Sequence, residues 1–99
     1  MRLTPLQQSQ LKAITREVCG DEAQVFAFGS RLDDNKKGGD IDLIIKLNQE
    51  VSNPAWIVAK VQAKAMIKLG EQKIDVLIDA PNLRRLAIHD IALSQGVSL

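Results

Sequence analysis

Apolar residues recur along this chain with two spacings, and each spacing predicts one type of element. Leu11, Ile14 and Val18 lie three or four residues apart, which is typical of the buried face of a helix. Thr4 is a favoured helix cap and Gly20 a favoured terminator, so the first helix is predicted to run between them.

Residues 73–79 show the second spacing, which is strict alternation. Ile74, Val76 and Ile78 are predicted to lie on one face of a strand, with the charged residues on the other. The remaining patterns predict strands over 25–28 and 40–47, helices over 54–69 and 81–95, and an edge strand or tail over 97–99. Together they predict an α+β (α/β-like) fold, a small mixed β-sheet with helices packed on it, in a single domain over residues 1–99.

A polar stretch over 29–39 separates the first two predicted strands and is followed by two aspartates. Asp40 and Asp42 stand two residues apart at the start of an apolar strand, so both side chains point to the same face. Two such carboxylates repel each other, and a bound divalent cation removes that repulsion. Gly29 and Ser30, at the start of the stretch, offer backbone N–H groups and a hydroxyl to phosphate oxygens. These residues predict metal-assisted chemistry on a nucleotide.

The composition limits which binding partners and which cellular compartment are expected. A net charge of +1 over 99 residues disfavours a broad basic face, so nucleic acid is not an expected partner. The chain has one cysteine, Cys19, which excludes an internal disulfide framework and fits a reducing cytoplasm. No apolar run reaches the ~20 residues that span a bilayer, and the first residues lack an apolar leader. We therefore expect a cytoplasmic protein that does not enter the membrane.

Gly29-Ser30, followed after nine residues by Asp40-Ile41-Asp42, resembles the signature of the polymerase-β-like nucleotidyltransferases. With its short length, the chain is most similar to the minimal nucleotidyltransferases of that superfamily, the MNT proteins. Asp75 stands where this family places its third carboxylate. One departure is Gly39, where many relatives have serine, and it bears on the stiffness of the loop.

The resemblance implies transfer of a nucleoside monophosphate from its triphosphate, with ATP as the expected substrate. Two Mg²⁺ ions would be held by Asp40, Asp42 and Asp75, and Asp75 would also accept the proton of the attacking hydroxyl. The residues that would hold the phosphates are Gly29, Ser30 and Arg31. These roles agree with general chemistry, because Mg²⁺ prefers carboxylate and phosphate oxygens and paired ions stabilise both the attacking and the leaving oxygen.

Larger relatives carry a second domain that completes the site, so we expect a separate protein to complete it here. The resemblance implies an antitoxin that transfers AMP (AMPylation) to a partner toxin of the all-helical HEPN type. Leu83, Leu86, Ala87 and Ile91 are predicted to form an apolar stripe on the last helix, available to that partner or to a second copy of the chain in a homodimer. Transfer to a small-molecule hydroxyl, such as that of an aminoglycoside, and neutralisation of the partner by binding alone are the alternatives.

Several residues have structural interpretations that compete with functional ones. Asp75 could be a surface acid, and Asp79 is a rival third carboxylate, although its position before Ala80-Pro81 favours a helix cap. Cys19 and His89 belong to no ligand cluster in the sequence and are predicted to be structural. Residues expected on a solvated helix face are Arg84 and Arg85, and those expected in the core are Trp56, Val61 and Ile67.

Overall fold

The computed structural model describes residues 3–29, 40–70 and 72–99, which contain three helices and four strands. In chain order they are α1 (Pro5–Cys19), β1 (Gln24–Phe28), β2 (Ile41–Lys46), α2 (Pro54–Leu69), β3 (Ile74–Asp79), α3 (Ala87–Gln95) and β4 (Val97–Ser98). The strands form one sheet in the order β3–β2–β1–β4, in which β2 and β3 are parallel and the other neighbours antiparallel. The predicted α+β fold, a small mixed sheet with helices packed on it, is therefore confirmed.

The two long helices begin and end at the residues that the sequence predicts. Thr4 caps α1, because its hydroxyl accepts from the N–H of Gln7 while the Gln7 side chain accepts from the N–H of Thr4. Asn53 caps α2 by accepting a hydrogen bond from the backbone of the first turn. Gly20 and Gly70 follow the last turns. No helix in the described residues is long and apolar enough to cross a membrane.

One face of the sheet is buried against α1 and α2. Alternate residues of β2, namely Ile41, Leu43 and Ile45, are fully buried on this face. They share one core with Leu11 of α1 and Val61 of α2. The two helices also pack against each other, so this layer holds the main core and fixes the strand that carries the two aspartates.

The third helix lies on the opposite face of the sheet. Ile44, which alternates with the residues of the main core, is fully buried, as is Ala92 of α3. A Cβ at Gly96, directly after α3, would lie 3.1 Å from the Cβ of Phe26, which pairs with Ile44 across the strands. Since α3 has only nine residues, it covers only part of this face, and Phe28 at the end of β1 is half-buried.

The last helix is shorter than predicted, because α3 begins at Ala87 rather than at residue 81. Two side chains in the intervening segment make contacts outside it. Asn82 forms hydrogen bonds of 2.9 and 2.8 Å with the backbone N–H and carbonyl of Val51. Arg85 donates to both carboxylate oxygens of Asp79, at 3.2 and 2.7 Å. These tertiary contacts override the helical periodicity of the segment.

Two further predictions about this segment are wrong. Asp79 is not a helix cap, since it is only 8% exposed and forms an ion pair with Arg85. Arg84 is exposed as expected, but neither arginine lies on a helix. Arg85 instead joins the end of β3 to the start of α3, because it also reaches the carboxylate of Asp90 at 3.4 Å.

The apolar stripe expected on the last helix is arranged differently. Leu83 and Leu86 precede α3, and the large exposed apolar residues of the helix itself are Ile88 and Ile91. Leu86, Ile88 and Ile91 are 50%, 42% and 48% exposed, and we call these three residues the α3 apolar surface. His89, which lies between the two isoleucines, is buried.

The prediction that Trp56 and Ile67 belong to the core is wrong, since they are 52% and 82% exposed. Val61 is fully buried as predicted, together with Ala65 one turn later. These two residues define the buried line along α2, and both exposed residues lie more than about 100° around the helix from it. Only one side of α2 meets the sheet and α1, so apolar residues on its other side stay in solvent.

Candidate functional site

Strand register brings Asp42 and Asp75 side by side. Asp42 is the second residue of β2, and its partner in the parallel strand β3 is Asp75. Neighbouring strands lie about 4.8 Å apart, and directly paired residues project from the same face. On its other side Asp42 pairs with Phe28, at the end of β1. This is the face that α3 only partly covers, and both aspartates are half-buried on it.

Asp40 lies directly before β2 and two residues from Asp42, so its position belongs to the same face. The Asp40 carboxylate lies 3.5 Å from the ammonium group of Lys73, with the two side chains 43% and 71% exposed. Lys73 holds the equivalent position before β3, since its carbonyl accepts a hydrogen bond from the N–H of Ile41. An exposed pair of this kind contributes little to stability, so Asp40 can exchange Lys73 for another cation.

Gly29 follows β1 directly and lies against the carboxylate of Asp42. Its φ of +78° is in the left-handed region that favours glycine. A Cβ at this position would lie 2.5 Å from Oδ2 of Asp42. Glycine is therefore required both by the backbone conformation and by the space available. The same contact puts the turn after β1 and the Asp42 carboxylate into one site.

The surroundings of Asp42 disfavour the ionised form of its carboxyl group. Burial, followed by the negative charges of Asp75 and Asp40, raises the pKa of Asp42 above its usual value. The positive charge of Lys73 acts in the opposite direction and is the smallest of these influences. Among the described residues, the three carboxylates therefore face one nearby positive charge, that of Lys73, and this excess of negative charge favours a bound cation.

The side chains at this site have the chemistry that a hard divalent cation prefers. Asp40, Asp42 and Asp75 offer carboxylate oxygens, and Mg²⁺ takes a few such oxygens together with water or phosphate oxygens. Within residues 3–29, 40–70 and 72–99, no group of three or more carboxylate, imidazole or thiol side chains is already arranged to hold a metal ion. The fold itself brings Asp42 and Asp75 together, and the convergence of Asp40 on the same ion stays a prediction.

Asp79, the rival third carboxylate, lies at the other end of β3. It is four residues beyond Asp75, roughly 13 Å along the strand, and Arg85 holds both of its oxygens. Asp79 is therefore unable to serve the site around Asp42. The two remaining predicted phosphate contacts, Ser30 and Arg31, lie outside the described residues.

Lys73 is the charged residue of this site that sequence reasoning missed. It precedes Asp75 by two residues, as Asp40 precedes Asp42, so parallel pairing in register sets the lysine beside the first aspartate. The two-residue spacing of Lys73 and Asp75 can be read from the sequence. The register of β2 with β3, which sets Lys73 beside Asp40, cannot be read from it. The site thus consists of Asp42 and Asp75, which pair across neighbouring strands, Gly29, and the Asp40–Lys73 ion pair at its edge.

Cys19 and His89 have the structural roles that the sequence predicts. His89 is buried, and its Nδ1 accepts a 3.1 Å hydrogen bond from the N–H of Leu86, which fixes the start of α3. Cys19 packs against the main core. Burial raises the pKa of the Cys19 thiol, which favours its protonated form and slows, without preventing, its reaction with alkylating reagents.

No model of a known protein family matches this chain, and no curated protein matches it either. The functional assignment therefore depends on the chain's own residues. Two features of the structure bear on it: the register of Asp42 with Asp75, and the contact of Asp42 with Gly29.

Proposed function

We propose that this chain is a Mg²⁺-dependent nucleotidyltransferase, with ATP as the donor and AMP as the transferred group. The observation that carries the proposal is the position of Asp42, with Gly29 against its carboxylate and Asp75 as its neighbour in the sheet. In such an enzyme a phosphate-binding turn must meet metal-binding carboxylates, because the metal ions bridge protein and phosphate oxygens. The contact between Gly29 and Asp42 supports a shared site of this kind.

Each acidic residue has one main role in this proposal. Asp40, Asp42 and Asp75 are the residues that would hold the two Mg²⁺ ions. The bound ions supply neutralisation of the triphosphate charge and a lower pKa for the attacking hydroxyl. Asp75 would take up the proton of that hydroxyl as its oxygen forms a bond to the α-phosphorus of ATP, and the bond from the α-phosphorus to the bridging oxygen would break to release pyrophosphate. The half-buried position of the two central aspartates strengthens these interactions, because water screens them less than it would at the surface.

Lys73 acts as a counter-charge for Asp40 in the metal-free protein. The pair is exposed and 3.5 Å apart, so its loss on metal binding costs little. The released ammonium group remains beside the site, where it can contact a phosphate oxygen. We expect Gly29, Ser30 and Arg31 to complete the phosphate contacts.

A protein partner is the expected source of the acceptor hydroxyl. The α3 apolar surface is exposed, and α3 lies on the same side of the sheet as Asp42 and Asp75. A partner that packs on this surface would lie on the same side of the sheet as the carboxylates. We therefore propose a helical partner of the HEPN type that receives AMP on a hydroxyl group such as that of tyrosine, which is the antitoxin role.

The test is a transfer assay with labelled ATP, Mg²⁺ and the partner that co-purifies with the chain, followed by mass spectrometry of the intact proteins. We expect the partner to gain one or more AMP units, and we expect Asp42→Asn to abolish the gain. Glu17→Gln is the matched control, because Glu17 is an exposed carboxylate on α1, away from the site.

Two outcomes would redirect the proposal. Modification of a small hydroxylated compound instead of a protein would identify the alternative acceptor, and the chain would still be a nucleotidyltransferase. If the partner is neutralised and no molecule is modified, the proposed enzymatic activity is refuted. The chain would then neutralise its partner by binding alone. In that case Asp42→Asn would not change the neutralisation.

A further inference from the structure

A cavity of about 470 Å³ lies at the opposite end of the sheet from the carboxylate site. It is bounded by the end of α1, the turn into β1, the connection from β2 to α2 and the first turn of α2. Leu47, which lines it, is five residues beyond Asp42, roughly 16 Å along the strand. The volume is within the range of small-molecule sites, about 300–1,000 Å³. The cavity is therefore large enough for a ligand and too distant to form part of the nucleotide site.

The lining of the cavity combines apolar side chains with carboxylates. The apolar part includes Leu47, Ile57 and Trp56, and the acidic part consists of Asp21, Glu22 and Glu50. All three acidic residues are exposed. None of the described residues that line the cavity is lysine, arginine or histidine. A ligand that matches this lining has an apolar body and a positive charge.

Trp56 adds an aromatic ring of the kind that binds cations. It is 52% exposed, and the ammonium group of Lys60 lies 4.5 Å from the centroid of its ring. This distance is within the range of a favourable cation–π contact. Lys60 itself does not line the cavity. The ring thus already attracts one cation from its own helix while it forms part of the cavity lining.

The N-terminus of α2 also borders the cavity and would favour an anion. Its effect is equivalent to about half a positive charge, whereas the lining contains three carboxylates. In addition, the Asn53 side chain accepts a hydrogen bond from the N–H of Trp56, so this N–H is not free for a ligand. The negative charge of the lining therefore outweighs the helix end.

We propose that this cavity binds a small organic cation, meaning a protonated amine or guanidinium group on an apolar body. The apolar body packs against Leu47 and Ile57, and the charged group lies between the Trp56 ring and the carboxylates. A nucleotide is anionic and does not match this lining. The described residues also form no cluster of three or more metal-binding side chains here. The proposal does not depend on nucleotidyl transfer, since the two sites are at opposite ends of β2.

The chain carries two built-in reporters for this site. It has one tryptophan, one cysteine and no tyrosine, and both Trp56 and Cys19 line the cavity. The experiment titrates 4-phenylbutylamine, the neutral 4-phenylbutanol and the anionic 4-phenylbutyrate into the protein and follows Trp56 fluorescence. We expect the amine to bind roughly tenfold more tightly than the alcohol, the combined effect of one cation–π contact and one ion pair. The carboxylate should not bind, and saturating amine should slow alkylation of Cys19 by iodoacetamide.

Substitutions distinguish charge recognition from simple apolar binding. Glu50→Gln should weaken binding of the amine about two- to fivefold without affecting the alcohol. The control Asp90→Asn removes an exposed carboxylate on α3, outside the cavity, and should change neither affinity. Equal affinity for amine and alcohol, or no binding of the amine, would overturn the proposal. A fluorescence change with an unaltered rate of Cys19 alkylation would also overturn it, because the ligand would then lie outside the cavity.

Discussion

The substitution Gly29→Ala perturbs the proposed site at its most constrained point. Gly29 has a φ of +78°, and an added Cβ would lie 2.5 Å from Oδ2 and 3.3 Å from Cγ of Asp42. Alanine therefore introduces two separate costs, one in the backbone of residue 29 and one in the side chain of Asp42. Since the nearest atom is the end of a side chain, the carboxylate can turn away, and it leaves its position in doing so.

Gly70→Ala is a reference for a positive-φ glycine whose substitution meets no neighbouring atom. Gly70 has a φ of +86°, and nothing lies within 4 Å of a Cβ at that position. Left-handed backbone at position 29 costs a non-glycine residue roughly 1–2 kcal/mol. Gly70, with a ψ of −169°, lies in a region that is essentially restricted to glycine, so Gly70→Ala should cost about 1–3 kcal/mol. Displacement of the Asp42 side chain from its rotamer adds about 0.5–1.5 kcal/mol. Gly29→Ala should therefore lower the free energy of unfolding by about 1.5–3.5 kcal/mol.

The assay is urea unfolding of the wild type, both alanine variants, Asp42→Ala and the double variant Gly29→Ala/Asp42→Ala. Without the Asp42 carboxylate, Gly29→Ala should cost only the backbone contribution of roughly 1–2 kcal/mol, which gives a coupling energy of about 0.5–1.5 kcal/mol. Binding of Mg²⁺ and nucleotide should weaken in Gly29→Ala and stay unchanged in Gly70→Ala. If the stability losses of Gly29→Ala and Asp42→Ala simply add in the double variant, and Gly29→Ala binds as the wild type does, Gly29 does not position the Asp42 carboxylate.

Three further substitutions test the charge at the site and the contacts that shape the fold. Because burial and neighbouring carboxylates raise the pKa of Asp42, its ionised form destabilises the fold increasingly as pH rises through that pKa. In EDTA at neutral pH, the melting temperature of Asp42→Asn should therefore equal or exceed that of the wild type. The difference should shrink as pH falls. A melting temperature of Asp42→Asn far below that of the wild type would show that Asp42 has a structural role. Asn82→Ala removes two hydrogen bonds to the backbone of the connection before α2, and urea unfolding should show a loss of about 1–2 kcal/mol. Arg85→Lys cannot hold both oxygens of the buried Asp79, so its melting temperature should fall below that of the control Arg84→Lys; equal values would contradict this role.

The parts of the fold that the sequence predicts are those fixed by local contacts. The caps at Thr4 and Asn53 and the glycines after α1 and α2 act within one turn of the helix ends, so sequence alone locates those ends. The segment before α3 is different, because Asn82 bonds to Val51 in the connection before α2 and Arg85 bonds to Asp79 at the end of β3. Its periodicity looks helical, and only the packed structure supplies the competing contacts.

The candidate site also has one part that local sequence predicts and another that depends on how the strands pack. The spacing of Asp40 and Asp42 predicts a shared face without any knowledge of the sheet. The choice of Asp75 over Asp79 requires the register of β2 with β3, and so does the position of Lys73 beside Asp40. Register depends on how whole strands pack, which a single sequence does not reveal.

In the function proposed above, the carboxylate site binds a nucleotide together with Mg²⁺. Isothermal titration calorimetry with α,β-methylene-ATP tests it most directly, because this analogue cannot transfer AMP and the signal is binding alone. We predict binding in the presence of Mg²⁺ that becomes at least about tenfold weaker in EDTA or in Asp42→Asn, and that is unchanged in Glu17→Gln. Equal affinity with and without Mg²⁺, or equal affinity of the wild type and Asp42→Asn, would contradict the account.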